Sequence, residues 1–388
     1  MDFEFLADEK KILKEVSSFI KSETTHELRD EIYKNGHIYG GPESRKFIKK
    51  FAANGWLTPN WAKEHGGLGL SSMVTFAIRE ELARNGLQLA FVAAHMAGPT
   101  IIHFGSEEMK KKWLSPISRG EVEFALGYTE PQAGSDLSAL RLQAVDNGDH
   151  FVLNGQKTFN THTHVADYHW LAVVTDPEAK KYRGMSMMIV DLKSPGITIR
   201  PMITMSDHRT NEVFYDNVVV PKANLVGEKN QGFFYLMSAL DFERMYPLGG
   251  YHQLFDEIVT YAKETISGGI PLSKNPLIRQ KLAQMRIELE ANKLLYYRLA
   301  DMIDKGKIPN YQTSMQKLFA TETAQHIANT GMEILGQFSQ LKKGSDYAVL
   351  SGKMERAYRS SIVETIYAGT SEVQRNIIAL RGLNMPTK

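Results

Sequence analysis

The sequence contains no cysteine in its 388 residues, which excludes disulfide bonds, thiolate metal sites and cysteine nucleophiles together. An excess of either charge is lacking as well, because 46 Lys and Arg residues stand against 44 Asp and Glu residues. The resulting formal net charge of +2 does not predict a surface for nucleic acid or for an anionic membrane.

A long apolar segment is also missing. The longest candidate, residues 87–104, is interrupted by Gln, His, Gly and Pro, whereas a membrane helix needs about 20 consecutive apolar residues. The first eleven residues, MDFEFLADEKK, are acidic where a signal peptide is basic, and no apolar segment follows them. We therefore predict a soluble cytoplasmic protein without a membrane span.

The composition that remains is ordinary for a globular protein, with 43% hydrophobic and 23% charged residues. Apolar residues recur at helical spacing in residues 8–20, 45–55, 72–85, 88–104 and 107–118. Between 123 and 227 the segments become short and rich in β-branched and aromatic residues, and Asp146-Asn147-Gly148-Asp149 predicts a hairpin. Helical spacing returns in 234–263, 275–305 and 312–336. The sequence predicts an α+β protein with three domains, helical (1–122), β (123–229) and helical (230–388).

One loop within the predicted β-domain is rich in hydroxyl groups and small residues. It runs from Tyr128 to Leu140 and reads YTEPQAGSDLSAL. Such a loop can offer backbone N–H groups and hydroxyls to a polar heterocycle or a phosphate. An ordinary β-turn explains the same composition, so the residues alone leave both interpretations open.

The segment TEPQAGSD (129–136) resembles the TEPxAGSD signature of the acyl-CoA dehydrogenases, which are flavoproteins. Four further motifs of that family follow the same order, namely WAKEHGGLGLS (61–71), NGQKTF (154–159), NEVFYDNVVVP with NLVGEKNQGF (211–233), and YAGTSEVQRNIIA (367–379). The resemblance implies the acyl-CoA dehydrogenase fold, with a middle β-barrel or sandwich and a C-terminal four-helix bundle. It also implies bound FAD, an acyl-CoA substrate, an electron-transferring flavoprotein as acceptor and a tetramer.

The resemblance assigns roles to individual residues. Those implied to bind FAD are Tyr128 and Thr129 along the ring, Phe159 packed on it, Thr161 near N5, and Thr370 and Glu372 near the adenosine and pyrophosphate. Those implied to bind the CoA thioester are Ser135, Asp241 and Arg244. Independently, Ser371 with Gln374 three residues later predicts a capping box for the last helix, with Ser371 as the cap.

The general base is not where most of the family has it. The usual Tyr-Glu-Gly-Thr segment reads Tyr367-Ala368-Gly369-Thr370 here, and a methyl group cannot accept a proton. Members resembling the isovaleryl and long-chain types place the base in a Leu-x-x-Glu-Arg helix, which makes Glu243 the expected base. The backbone N–H of Ala368 can still donate a hydrogen bond to the thioester carbonyl.

The residue pattern supports Glu243 independently. The apolar residues Phe233, Leu236, Met237 and Leu240 form one helical stripe, and Glu243 lies three residues beyond the last of them, on the same face. A carboxylate buried there needs a partner or a purpose. The alternative is that Glu243 lies at the edge of the stripe and reaches solvent.

The chain departs from the family in two segments. Residues 263–271 lack the Arg and Phe of the Arg-x-x-Phe-Gly segment that contacts the flavin of a neighbouring subunit, and LGQFSQLKKG (335–344) replaces a Gly-Gly-rich run. Both losses affect the inter-subunit half of the flavin site, so the tetramer is either a homotetramer or a heterotetramer in which this chain is the catalytic member.

Three alternatives stay open besides an α,β-dehydrogenase of acyl-CoA. They are a subunit that needs a partner chain, a flavin monooxygenase of the same fold, and a structural bundle without cofactor. His162 and His164 lie two apart but have no third ligand at supporting spacing, so we predict no metal site. A base on the earlier helix leaves room near residue 368, which is compatible with branched, cyclic or bulky acyl groups.

Overall fold

The structure is a computed structural model that describes residues 4–35, 39–87, 92–243 and 245–386. Its helices are α1 Ala7–Glu23, α2 His26–Lys34, α3 Pro42–Ala53, α4 Ser72–Arg84, α5 Gly98–Phe104, α6 Glu107–Ser118, α7 Gly232–Glu243, α8 Gly249–Glu264, α9 Pro276–Asp304, α10 Tyr311–Leu335, α11 Lys353–Glu364 and α12 Ser371–Ile377. Its strands are β1 Phe124–Gly127, β2 Gln143–Asp146, β3 His150–Lys157, β4 Tyr168–Val174, β5 Met185–Asp191, β6 Ile197–Ile203, β7 Arg209–Pro221, β8 Leu225–Val226, β9 Ile266–Ser267 and β10 Ile270–Pro271.

Capping residues explain why several helices begin where the sequence predicts. The Ser71 hydroxyl accepts a hydrogen bond from the N–H of Val74 at 3.3 Å, and α4 begins at the next residue. Ser106 and Met109 make the same contact at 3.2 Å at the start of α6. Each hydroxyl satisfies an N–H that has no partner inside the helix. The predicted helices 72–85 and 107–118 are confirmed.

The predicted helix 234–263 is wrong as a single element. The structure has α7 ending at Glu243 and α8 beginning at Gly249. Pro247 lies in the interruption, and its ring and missing N–H are incompatible with the interior of a helix. The pattern also missed α2, and it missed the β9–β10 hairpin within residues 263–271, where Gly268 and Gly269 both have positive φ.

The eight longer-range strands form one sheet with the order β6-β7-β3-β2-β4-β5-β8, and β1 pairs with β4. The pairings are antiparallel except those of β1 and β2 with β4. The predicted hairpin is confirmed, since Asn147 N–H donates to the carbonyl of His150 at 2.9 Å and Gly148 adopts φ 96°. Gly tolerates that left-handed conformation without steric cost.

Contacts divide the chain into two compact units. The first consists of Met1–Lys21, Ser71–Leu87 and Arg244–Lys388, and the second of Ser22–Leu70 and Gln88–Glu243. We call them the helical unit and the sheet unit, because the helical unit contains α8 to α12 and the sheet unit contains β1 to β8. The three domain boundaries expected from the sequence remain a prediction.

Strand β4 of the sheet unit is buried on both of its faces. On β4, Trp170 and Ala172 pack in a cluster with residues of α6 and α7, while Leu171 and Val173 pack in a second cluster with residues of β3 and β7. This explains why β4 reads as a continuous apolar run instead of an alternating one. The helical unit has its own core, formed by apolar residues of α8, α9, α10 and α11. Among the described residues, no helix is long and apolar enough to cross a membrane.

Candidate functional site

In the sheet unit, the Tyr128–Leu140 loop is anchored by a buried ion pair. Lys157, the last residue of β3, donates from Nζ to Glu130 Oε1 at 2.8 Å and to the carbonyl of Tyr128 at 3.0 Å. The two side chains are 0% and 2% exposed. The Glu130 carboxylate also accepts the N–H groups of Arg141 at 2.7 Å and Leu142 at 2.9 Å. One carboxylate thereby ties the start of the loop to its end.

Each member of the pair favours the charged form of the other. Burial lowers the pKa of Lys157 to about 8, and the charge of Glu130 limits that fall. Burial opposes ionisation of Glu130, but Lys157 and the backbone N–H donors outweigh it, so the pKa of Glu130 is lowered. Glu130 and Ala133 also exchange two backbone hydrogen bonds of 3.0 Å. The loop is therefore a turn, as one interpretation predicted, and it is a rigidly held one.

The structure brings Thr129 next to the segment that contains Phe159 and Thr161. The N–H of Thr158 donates to the carbonyl of Thr129 at 2.9 Å. Phe159 is 61% exposed and has φ 55°, a conformation that is costly for a residue with a side chain. Thr161 is half-buried and its hydroxyl bonds that of Thr210 at 3.3 Å.

These residues fit FAD. The Phe159 ring is 61% exposed on a strained backbone, and an exposed aromatic ring can stack on a flavin. The half-buried hydroxyls of Thr129 and Thr161 are suited to the polar edge of such a ring. Ser135 is exposed on the same loop. The individual roles of these residues remain predictions.

Replacing Phe159 with Ala is expected to weaken FAD binding by about fivefold or more, because aromatic stacking contributes about 1 kcal/mol beyond the buried area. Titration of the protein with FAD, followed by quenching of flavin fluorescence, measures the change. Phe234→Ala is the matched control, since Phe234 is another phenylalanine of the sheet unit with 58% exposure. Equal FAD affinities in the two variants would contradict the assignment.

Two histidines follow Phe159 closely. Burial, together with neighbouring positive groups, lowers the pKa of His162 and of His164 to about 4, so both are neutral at pH 7. His164 Nδ1 faces the side-chain amide of Asn211 at 3.2 Å. Among the residues that the structure describes, no group of three or more His, Asp or Glu side chains could hold a metal ion.

The α7 stripe is confirmed, but the predicted base is not described. Leu236 and Leu240 are buried, and Phe233 and Met237 are partly buried against the same cluster. The backbone of α7 reaches Glu243. The side chains of Asp241 and Glu243, and all of Arg244, lie outside the described residues, so their predicted roles remain predictions.

In the helical unit, α11 and α12 are joined by a turn at residues 364–370. Ala368 in this turn has φ 53°, and its carbonyl accepts a hydrogen bond from Gln374 Nε2 at 2.9 Å. The carboxyl of Glu364 is buried and accepts the Tyr251 hydroxyl at 2.9 Å, and its burial raises its pKa to about 7. Of these two side chains, the sequence pattern indicated Gln374 and did not indicate Glu364.

The predicted capping box is wrong by one residue. The N-cap of α12 is Thr370, whose hydroxyl accepts from the N–H of Val373 at 3.2 Å, and Ser371 is the first residue of the helix. Gln374 reaches back as predicted, but it donates to the carbonyls of Ala368 and Gly369. The left-handed Ala368 and Gly369 turn the chain early, so the helix starts one residue sooner. Glu372 is exposed in its first turn.

Three sequence profiles of one family cover almost the whole chain. The acyl-CoA dehydrogenase N-terminal domain matches residues 7–121, the middle domain 125–218 and the C-terminal domain 230–383. The chain belongs to the acyl-CoA dehydrogenase family. Acyl-CoA dehydrogenases are FAD-dependent oxidoreductases that act on acyl-CoA thioesters, so the family, fold, cofactor and enzyme class expected from the motifs are confirmed.

Related acyl-CoA dehydrogenases share the fold over their full length. The chain is 33% identical to the Tcur3481-Tcur3483 steroid ACAD, with 100% of both chains covered and a TM-score of 0.92. The ChsE4-ChsE5 complex from Mycobacterium tuberculosis gives 33% identity, 100% coverage of both chains and a TM-score of 0.92. The caffeyl-CoA reductase-Etf complex subunit CarC from Acetobacterium woodii is 33% identical over 389 residues, which cover 97% of this chain and 98% of that relative.

Proposed function

We propose that this chain is the catalytic subunit of an acyl-CoA dehydrogenase that oxidises a bulky, ring-bearing acyl-CoA between its α- and β-carbons. The observation that carries this proposal is the turn at Ala368. Among the described residues, none accepts a hydrogen bond from the N–H of Ala368, although the carbonyl of the same residue accepts one from Gln374. A fixed and uncommitted N–H is the donor that a thioester carbonyl requires.

In this mechanism, residues of the chain remove the α-proton and donate a hydrogen bond to the thioester carbonyl. Glu243 removes the α-proton, a role that suits a carboxylate whose pKa lies near the working pH. The Ala368 N–H donates to the thioester carbonyl and stabilises the negative charge that develops as the proton leaves. Ser135, Asp241 and Arg244 hold the CoA ester. FAD, when bound, supplies the acceptor for the β-hydrogen and its electron pair.

Two features support a bulky acyl group. Ala368 has a methyl group where most of the family has a longer acidic side chain, which leaves more room beside the thioester. One close structural relative is named a steroid ACAD, and its substrate class is the polycyclic type that such room accommodates. The proposal is therefore a polycyclic or otherwise ring-bearing acyl chain instead of a short straight one.

A related second chain is proposed as the partner. The β9–β10 hairpin, which replaces the Arg and Phe of the inter-subunit flavin contact, exposes Ile266 and Ile270 at 61% and 50%. Exposed aliphatic side chains suit a protein contact better than a diphosphate. A relative solved as a complex of two named chains supports a heterotetramer, and a relative named as part of an Etf complex supports an electron-transferring flavoprotein as the acceptor.

Anaerobic mixing of the purified protein with a panel of acyl-CoA esters tests the function. The panel contains straight-chain, branched and steroid side-chain esters, and the measured quantity is the loss of visible flavin absorbance. We expect bleaching that is fastest with the ring-bearing ester. Bleaching by straight-chain esters alone would contradict the substrate class, and protein that retains FAD only when co-expressed with a related chain would support the heterotetramer.

Two further measurements separate the rival reactions. A flavin that no acyl-CoA bleaches, but that is reoxidised anaerobically by an enoyl-CoA after chemical reduction, would identify a reductase. Rapid oxygen consumption by the reduced flavin, with no response to any CoA ester, would identify a monooxygenase. Either result would overturn the proposed dehydrogenation.

A further inference from the structure

Helix α10 carries two adjacent polar side chains, Gln316 and Lys317, that are both 0% exposed. Burying an amide or an ammonium group costs free energy unless protein hydrogen bonds replace those to water. Both side chains donate to backbone carbonyls of segments outside α10. The first segment follows Glu243 in the sequence, and the second contains Ala368. Both residues have a role in the proposed function.

Gln316 holds the segment 245–248, which follows Glu243 in the sequence after one intervening residue. Its Nε2 donates to the carbonyl of Tyr246 at 2.7 Å, and its Oε1 accepts the N–H of the same residue at 3.0 Å. Arg79 donates to the carbonyl of Met245 at 3.0 Å, and Glu80 accepts the N–H of Leu248 at 3.0 Å. The two-point bond from Gln316 fixes both the position and the orientation of this peptide.

Lys317 holds the two ends of the turn that contains Ala368. Its Nζ donates to the carbonyls of Glu364 and Gly369, each at 2.9 Å. The carbonyl of Glu364 is at the C-terminal end of α11, where a positive charge is stabilised by the helix dipole. Gln374 donates to the carbonyls of Ala368 and Gly369 from α12. Two buried side chains therefore clamp one short turn.

The clamp opposes a conformational cost at Ala368. A residue other than glycine at φ 53° is strained relative to ordinary backbone conformations. Without donors at the carbonyls on either side, the turn is free to relax, and the direction of the Ala368 N–H changes with it. The two held segments are also joined, since the Tyr367 hydroxyl donates to the Tyr246 hydroxyl at 3.0 Å.

We propose that Gln316 and Lys317 are positioning residues for the dehydrogenation, with Gln316 fixing the peptide that follows the general-base helix and Lys317 fixing the turn that presents the Ala368 N–H. One dipeptide of α10 thus holds two segments of the helical unit, the peptide at Tyr246 and the turn at Ala368. This inference rests on the proposed function.

The test uses the FAD-loaded protein and the acyl-CoA that bleaches the wild type fastest. Lys317→Met removes the ammonium group and keeps the aliphatic chain. We expect the limiting rate of bleaching to fall by about 10²-fold, the loss typical of one oxyanion donor, while the dissociation constant for the ester stays within about threefold. Gln316→Leu is expected to show the same division between rate and binding.

A second readout does not depend on electron transfer. The variants are incubated with the ester in deuterated water, and mass spectrometry measures deuterium uptake at the α-carbon. Slower uptake is expected in Lys317→Met and Gln316→Leu, because both act on removal of the α-proton. Gln374→Met tests the same turn from α12 and is expected to behave like Lys317→Met, which covers the case in which Lys317→Met does not fold.

Thr321→Val is the matched control, because Thr321 is a buried polar residue one turn further along α10 whose hydroxyl donates to the carbonyls of Lys317 and Leu318 in its own helix. Unchanged rates in the folded, FAD-loaded variants would overturn the inference. An equal loss in Thr321→Val, or a loss confined to ester binding, would overturn it as well. A wild type that shows neither bleaching nor α-exchange would instead overturn the proposed function itself.

Discussion

Replacement of Glu243 by Gln is expected to lower the limiting rate of anaerobic flavin bleaching by about 10³-fold or more, at unchanged FAD content. A positioned general base contributes about 10² to 10⁴ in rate, and an α-hydrogen of a thioester is too weakly acidic to leave without one. The amide keeps the shape of the carboxylate but cannot take the proton. Rapid mixing with saturating acyl-CoA measures the rate directly.

Two matched variants complete this experiment. Glu228→Gln removes an exposed carboxylate that precedes α7 and is expected to leave the rate within about twofold of the wild type. Adding Ala368→Glu to Glu243→Gln places a carboxylate where most of the family has its base, and partial recovery of bleaching is expected. A Glu243→Gln protein that bleaches at the wild-type rate would show that another group is the base.

The sequence predicts a relocated base from a single substitution, and this stays a prediction, but the sequence could not place the side chains that hold the Ala368 turn. The motif around Tyr367 showed that the base was missing, and the helical stripe before Glu243 showed where it could have moved. Both inferences depend on local spacing, which a sequence displays. The order of helices and strands was predictable for the same reason.

The errors and omissions depend on contacts between distant segments. Ser371 was expected to cap α12, but the left-handed Ala368 shifted the cap to Thr370. No pattern within one segment predicts that shift. Lys157 lies between Gln156 and Thr158, and Lys317 follows Gln316, so the neighbouring residues do not mark either lysine as buried. Only the fold brings their partners near, namely the Glu130 carboxylate and the Tyr128 carbonyl for Lys157 and the Glu364 carbonyl for Lys317.

The second large effect is expected on stability, when Lys157 is removed from its buried ion pair with Glu130. Lys157→Met is expected to destabilise the sheet unit by about 3–5 kcal/mol, because it leaves the Glu130 carboxylate buried without its positive partner. Unfolding in urea followed by tryptophan fluorescence measures the change in the sheet unit, since all four tryptophans, Trp56, Trp61, Trp113 and Trp170, belong to it.

A double-mutant cycle isolates the pair from its surroundings. Glu130→Gln neutralises the carboxylate and leaves an oxygen for the N–H groups of Arg141 and Leu142, so the double variant is expected to be more stable than the sum of the single losses predicts. Lys229→Met breaks the exposed ion pair with Asp146, whose side chains are 40% and 28% exposed, and is expected to cost less than about 1 kcal/mol. Strictly additive single losses would show that the two charges do not stabilise each other.

The cycle also separates the stability of the loop from its role in cofactor binding. Lys157 donates to the carbonyl of Tyr128 as well as to Glu130, so its loss frees the start of the loop even when Glu130 is neutral. The double variant is therefore expected to recover unfolding stability but to keep a weakened affinity for FAD. Recovery of both properties together would show that the ion pair acts on the flavin loop only through its charge balance.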